Sequence, residues 1–190
     1  IDGVTYYIGN KKLCERENID YAEYKEEAIT FANQGQTPMF VGANGKTLGI
    51  VCVADVVKAT SAEAIRKIKD LGIEVYMLTG DNKLTANYIG EMVGVDHVIA
   101  EVLPNDKASV VENLQKEGKC VMMVGDGIND APALVQANVG VAIGSGSDIA
   151  IDSGDVVLMK SDLKDVYKTI KLGKATIRNI KQNLFWAFFY

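Results

Sequence analysis

The sequence has little cysteine, no excess of basic charge and no long apolar run. Only three of its 190 residues are cysteine. Cys14, Cys52 and Cys120 stand far apart, are odd in number and form no Cys-x-x-Cys pair, which argues against a disulfide framework. Cys52 and Cys120 lie in apolar, strand-like runs and read as core packing rather than ligands; Cys14 has no assignment at this level. A reducing setting fits this usage. The net charge of −5 leaves no surface for general nucleic-acid binding, so no nucleic-acid partner is expected. No signal peptide is visible, and Asp2-Gly3 reads as the interior of a longer chain. The hydrophobic content of 48% nonetheless supports the core of one ordinary domain, or of one and part of another.

The organising stretch is Val124 to Leu134, VGDGINDAPAL. The apolar run 120–124 before it reads as a buried strand of a parallel sheet. Gly125 and Gly127 are expected to let the backbone turn at the strand's carboxyl end, and Pro132 to sit at the start of a short helix. The turn carries two carboxylates, Asp126 and Asp130, and one amide, Asn129. Ligands of open α/β sheets collect at that edge, and hard carboxylate oxygens suit Mg2+ and a phosphate.

The rest of the chain falls into two patterns. Residues 4–8 read as a strand ending at Gly9-Asn10, with Asn10 placed to cap a helix over about 11–17. A helix over about 21–33 ends at Gly35. Strands at 39–41 and 48–53 flank a hairpin-type turn at Ala43-Asn44-Gly45. This is an α+β pattern. From Asp55 onward helices and strands alternate. Thr60 and Glu63 have capping-box spacing, and Ile65, Ile68 and Leu71 form an apolar stripe ending at Gly72. A strand over 74–78 runs into Thr79-Gly80-Asp81-Asn82, where Asp81 or Asn82 can cap a helix with Leu84, Tyr88 and Met92 in a row. A short strand at 98–100 precedes a helix opened by Leu103-Pro104-Asn105-Asp106-Lys107 and packed through Val110, Val111 and Leu114. Further strands are expected at 139–143 and 156–159. Helix-linked strands imply right-handed crossovers and a parallel sheet with helices on both faces. In a single parallel sheet the turns at Thr79 and Gly125 share one edge.

That placement suggests roles. The Thr79 hydroxyl and the backbone N–H groups of Gly80 and Asp81 suit phosphoryl oxygens. Lys107 supplies a positive point charge, the more notable because a cation at a helix N-terminus opposes the macrodipole. Asp126 and Asp130 offer carboxylates to Mg2+. Phosphoryl transfer needs such a kit, since its catalysis is mostly positioning and charge neutralisation.

From Ser161, a candidate cap, a long basic helix runs into LFWAFFY at 184–190. The aromatic ending is far shorter than the roughly 20 residues a spanning helix needs. It reads as the first turns of a membrane helix with a cytoplasmic basic flank.

Three stretches together carry a family resemblance: TGDN at 79–82, the LPxxK pattern ending at Lys107, and GDGINDAPAL at 125–134. They resemble P-type cation-transporting ATPases. IGN at 8–10, AIGSGSDIA at 142–150 and IKQNLFWAFFY at 180–190 are similar to the heavy-metal branch, above all its copper-exporting members. The resemblance implies residues 1–54 as the later part of a nucleotide-binding domain and 55–172 as a haloacid-dehalogenase-like phosphorylation domain. It makes 173–190 a basic linker and the start of a transmembrane helix. Gly9 and Asn10 match a nucleotide-lining pair, and Asp55 an acidic hinge residue. Thr79 and Lys107 match phosphoryl-holding groups, and Asp126 and Asp130 the Mg2+ carboxylates. Tyr190 matches the first member of a Tyr-Asn pair in the copper pumps.

The resemblance further implies Mg2+ as cofactor and ATP as substrate. The expected partners are the upstream part of the same pump and copper ion via the membrane domain, with the segment on the cytoplasmic side of the cell membrane. Three features of the family are missing: the DKTGT sequence that carries the nucleophilic aspartate, the His-Pro pair of the nucleotide site, and the Cys-Pro-Cys metal site. The chain by itself is therefore expected to be inactive. The other readings are a zinc or cadmium pump, a soluble phosphatase of the same superfamily, or a regulatory module.

Overall fold

The computed structural model describes residues 3–54, 56–125, 128–144 and 152–189. Its contacts divide the chain into two compact units, Ile1–Val57 with Tyr76–Val102, and Lys58–Val75 with Leu103–Tyr190.

The first unit opens with β1 (Tyr6–Gly9) and α1 (Lys11–Arg16). Asn10 caps α1, its Oδ1 accepting from the Leu13 N–H at 3.2 Å, because a short side-chain carbonyl satisfies an N–H that the helix leaves unpaired. A 3-10 turn, Ala22–Tyr24, leads into α2 (Lys25–Asn33). β2 (Thr37–Ala43) and β3 (Lys46–Val53) then pair antiparallel. Asn44 and Gly45 both have positive φ, 52° and 76°, as a two-residue hairpin turn that follows the strand twist requires. The sheet order is β1-β2-β3, and Cys14, Ile19, Ala28 and Phe40 form its core. The Tyr21 and Phe40 rings pack at 5.2 Å. Cys14 is thus a core residue, and burial pushes its thiol pKa up.

The same unit holds β4 (Tyr76–Leu78), α4 (Lys83–Val93) and β5 (His97–Ile99). The two strands pair in parallel, with Leu78 opposite Ile99, and the only histidine stacks on Tyr76 at 4.3 Å. The row Leu84, Tyr88 and Met92 is exposed. α4 instead buries Thr85, Ala86, Gly90 and Val93. Small residues bring this face close to its neighbours: a Cβ on Gly90 would stand 2.4 Å from Val98 Cγ2, and the Thr85 hydroxyl donates to the Gln36 carbonyl at 2.9 Å.

The second unit contains α3 (Ser61–Lys69), α5 (Lys107–Lys116), β6 (Met122–Gly125), α6 (Ala131–Gln136), β7 (Val139–Ile143), β8 (Val156–Leu158) and α7 (Leu163–Phe189). β6, β7 and β8 form a parallel sheet in that order, and Leu134 of α6 packs with Met123, Ala142 and Val157 of its strands. Two expected caps fail here. The Thr60 hydroxyl donates to Asp162 Oδ1 at 3.1 Å and accepts from no N–H of its own helix, while Glu63 pairs with Lys67 at 2.7 Å and Lys164 at 3.2 Å. Asp162, not Ser161, serves the start of α7 by accepting from the Lys164 N–H at 2.9 Å. Ser161 accepts from the Lys58 ammonium instead. Cys120 is exposed because β6 begins two residues later, so it is not a core residue.

The parallel strands expected as one sheet form two. Among the described residues no strand links β4-β5 to β6-β7-β8 by hydrogen bonds. α7 spans 27 residues, about 40 Å at the helical rise, and no described helix is long and apolar enough to cross a membrane. Its end exposes Phe185, Trp186, Phe188 and Phe189.

Candidate functional site

β6 ends at Gly125, and a 3-10 turn over Ile128–Asp130 leads into α6. Pro132 lies in the first turn of α6, where its missing N–H costs nothing. Gly125 is not a positive-φ residue, so its glycine is needed for space rather than for an unusual backbone. A Cβ there would meet Asp130 Cβ at 2.6 Å and Oδ2 at 2.8 Å. The Asp130 carboxylate therefore lies against the strand end in room that only glycine leaves.

Lys107 is the first residue of α5, preceded by the 3-10 turn Pro104–Asp106. Its Nζ donates to Asp130 Oδ1 at 2.6 Å, with the two side chains 18% and 11% exposed. The carboxylate offsets the charge that an N-terminal lysine would otherwise set against the helix dipole. A largely buried pair of this kind is strongly dependent on both members, since removing one strands the other. Asn129 is exposed.

In the first unit, the turn after β4 is held by its own side chains and by the segment after β5, whose Glu101 and Val102 N–H groups donate to the Asp81 and Thr79 carbonyls at 2.9 and 3.1 Å. Thr79 Oγ1 donates to Asp81 Oδ2 at 2.8 Å, and the Asp81 N–H donates to Thr79 Oγ1 at 3.2 Å. Asn82 Oδ1 accepts from the Thr85 N–H at 3.0 Å and caps α4. Gly80 is exposed and its position leaves the Val102 carbonyl 3.4 Å from where a Cβ would stand. Gly9 ends β1 opposite Phe40, and the Asn10 side chain is spent on the α1 cap.

The structure thus brings Lys107 and Asp130 together, and Thr79, Gly80 and Asp81 together. Asp55, Asp126 and Tyr190 lie outside the described residues, as do most of the residues of AIGSGSDIA at 142–150. Among the described residues no three His, Cys, Asp or Glu side chains are grouped to hold a metal. The chemistry of Asp130 nevertheless fits a hard cation: a carboxylate oxygen is the donor Mg2+ prefers, and the space over Gly125 orients it. Gly125 as the seat of Asp130 was not evident from sequence beyond the five-residue spacing in GDGIND. Elsewhere in this unit the backbone N–H of Lys164 holds the Asp162 carboxyl below its usual value. Hydrogen bonds from Lys67 and Lys164 do the same for Glu63.

Residues 3–138 match the family model described as haloacid dehalogenase-like hydrolase. The chain belongs to that family. Over its whole length this haloacid-dehalogenase-like chain is 48% identical to the probable copper-importing P-type ATPase A of Enterococcus hirae, of which it covers 26%. It is 48% identical to the copper-exporting P-type ATPase of Staphylococcus saprophyticus, covering 24%, and 47% identical to copper-transporting ATPase 1 of Rhizobium meliloti, covering 23%. The chain therefore spans about a quarter of the length of these curated relatives. Among solved structures it is similar to a zinc-transporting PIB-type ATPase in the E2.Pi state, with TM-score 0.72, 34% identity and coverage of 96% of this chain and 29% of that one. A catalytic CPx-ATPase domain matches with TM-score 0.57 and 29% identity, over 70% of this chain and 53% of that one. The haloacid-dehalogenase-like fold and the relationship to heavy-metal P-type ATPases agree with the sequence motifs.

Proposed function

We propose that this chain is the Mg2+- and phosphoryl-handling part of the cytoplasmic unit of a copper-transporting P-type ATPase that works through an aspartyl phosphate. The observation that carries the reading is the Lys107–Asp130 pair at the end of β6, seated on Gly125. Asp130 with Asp126 would hold Mg2+, which supplies charge neutralisation at the transferring phosphoryl. Lys107 places an ammonium on that group's oxygens. The Thr79 hydroxyl and the N–H groups of Gly80 and Asp81 donate to phosphoryl oxygens, and Asn129 contributes its amide. Gly9 and Asn10 line the nucleotide, and Asp55 belongs to the hinge. In this reading 1–54 belongs to the nucleotide-binding domain, 55–172 to the phosphorylation domain, and 173–190 leads into the membrane.

The sequence contains no DKTGT, so the nucleophilic aspartate is supplied by the upstream part of the pump. Its carboxylate oxygen bonds to the γ-phosphorus of ATP as the bridging oxygen leaves with ADP. Copper is proposed over zinc because the copper-named relatives stand at 47–48% identity and the zinc-transporting structure at 34%. No direction is proposed, since relatives named as importing and as exporting are equally similar. The basic residues of α7 and its aromatic end support a place at the cytoplasmic face of a membrane.

The test is phosphorylation of the longer protein that contains this sequence. Cu+ is expected to stimulate a hydroxylamine-labile adduct from labelled ATP, and Zn2+ is not. Stimulation by Zn2+ alone would replace copper with zinc, and absence of any adduct would leave the regulatory-module reading.

A further inference from the structure

We infer that Lys107 is a resident counter-ion that a divalent cation must displace from Asp130, so that metal binding releases the ammonium for the phosphoryl. The inference rests on the reading of Asp130 as a metal carboxylate and adds an order of events to it.

Both oxygens of Asp130 are already constrained. Oδ1 accepts from Lys107 Nζ at 2.6 Å. Oδ2 lies beside Gly125, 2.8 Å from where a Cβ would be, so strand backbone covers that side. The side chain is only 11% exposed, which leaves few approaches. A Mg2+-sized ion bonds a carboxylate oxygen at about 2.0–2.1 Å. Placed on Oδ1 with the ammonium still there, it would put two positive charges within a few ångströms of each other in a partly desolvated site. Coulomb repulsion at that range is strong even at an effective dielectric constant of roughly 20. The two cations therefore compete for one oxygen.

Lys107 is also the group able to yield. It is the first residue of α5, so its release disturbs no helical hydrogen bond, and its flexible four-carbon stem reorients the charge cheaply. Asp130 is the less free of the two, because it closes the 3-10 turn at the start of α6 and its carboxylate is seated against Gly125. Before metal binds, Lys107 keeps a largely buried carboxylate neutralised. After metal binds, it is a free cation beside the site, and an anionic phosphoryl is its natural acceptor. Metal and Lys107 thus oppose each other until a phosphoryl is present.

The test is Mn2+ binding to the full chain, followed through the electron paramagnetic resonance signal of free Mn2+, with no nucleotide. Lys107→Met and Lys107→Gln are expected to bind Mn2+ about tenfold tighter than the unsubstituted chain, and Lys107→Arg no tighter. A gain in affinity cannot come from misfolding. Unchanged or weaker binding in both neutral variants overturns the inference. A second measurement needs no variant: the 15N-detected ammonium signal of Lys107 should shift or vanish as Mg2+ saturates the chain. Binding that leaves this signal in place also overturns it. If no version of the chain binds Mn2+ saturably, the metal-site reading falls and the inference with it; saturable binding without tightening removes the inference alone.

Discussion

At the end of β4, Thr79, Asp81 and Asn82 satisfy one another and the first turn of α4 within a few residues. At the end of β6, the Asp130 carboxylate is met by a lysine 23 residues away in sequence and rests on a glycine of the preceding strand. Both are polar turns between a strand and a helix, yet they are held by different means. The first combines side-chain bonds among neighbouring residues with backbone bonds to the segment after β5, where the Glu101 N–H donates to the Asp81 carbonyl at 2.9 Å and the Val102 N–H to the Thr79 carbonyl at 3.1 Å. The second exists only when α5 and β6 are both in place. A turn held largely by neutral backbone bonds is fixed in place, whereas a turn closed by an ion pair can be opened by a ligand.

Substitutions should separate the two. Gly125→Val is expected to do the most damage, because a branched side chain would occupy the space of the Asp130 carboxylate. Overpacking of this kind costs about 1–3 kcal/mol, readable by urea denaturation, and Mn2+ binding should be lost as well. A Gly125→Val chain with unchanged stability and unchanged Mn2+ affinity would mean that Asp130 does not depend on its seat. Asn82→Ala comes next. It removes the α4 cap and should cost about 1 kcal/mol while leaving Mn2+ binding at Asp130 untouched. A matching loss of Mn2+ affinity would show that the turns are not independent. Thr79→Val should be milder, within roughly 0.5–1.5 kcal/mol, since one short turn loses two hydrogen bonds but keeps its Asn82 cap.

The smallest effect is one of pH. Asp162 has a folded pKa below its ordinary 3.8, first because the Lys164 N–H donates to it. A carboxylate with a depressed folded pKa contributes stability above its unfolded pKa and loses it as pH falls through the folded value. Amide exchange in the first turn of α7 should therefore accelerate as pH falls below the ordinary value of 3.8, and Asp162→Asn should flatten that change. An identical pH response in Asp162→Asn would assign it to another group.

The same distinction explains what sequence could foresee. The Asn10 and Asn82 caps, the Asn44-Gly45 hairpin, Pro132 at the start of α6, and the helix stops at Gly35 and Gly72, both with positive φ, are local effects and were legible from residue type. Thr60 was misleading because a partner 102 residues away, Asp162, claims its hydroxyl, and an equally distant lysine, Lys58, occupies Ser161. The row Leu84, Tyr88 and Met92 was misleading because periodicity marks an apolar face without saying which face has room to pack. Thr85, Ala86 and Gly90 allow a closer approach, and it is their side of α4 that is buried. In the candidate site, residue types signalled Lys107 and Asp130, but their pairing and the role of Gly125 are tertiary facts.

The most direct test of the whole account is the yield of phosphoenzyme from radiolabelled Mg-ATP in the longer protein containing this sequence, compared with its Asp130→Asn and Lys107→Met forms and with the present chain by itself. A hydroxylamine-labile adduct is expected in the unsubstituted longer protein, a loss of about 100-fold or more in both substituted forms, and no adduct on this chain alone. A stoichiometric adduct on the chain alone, or full phosphorylation after loss of the Asp130 carboxylate, would contradict the account.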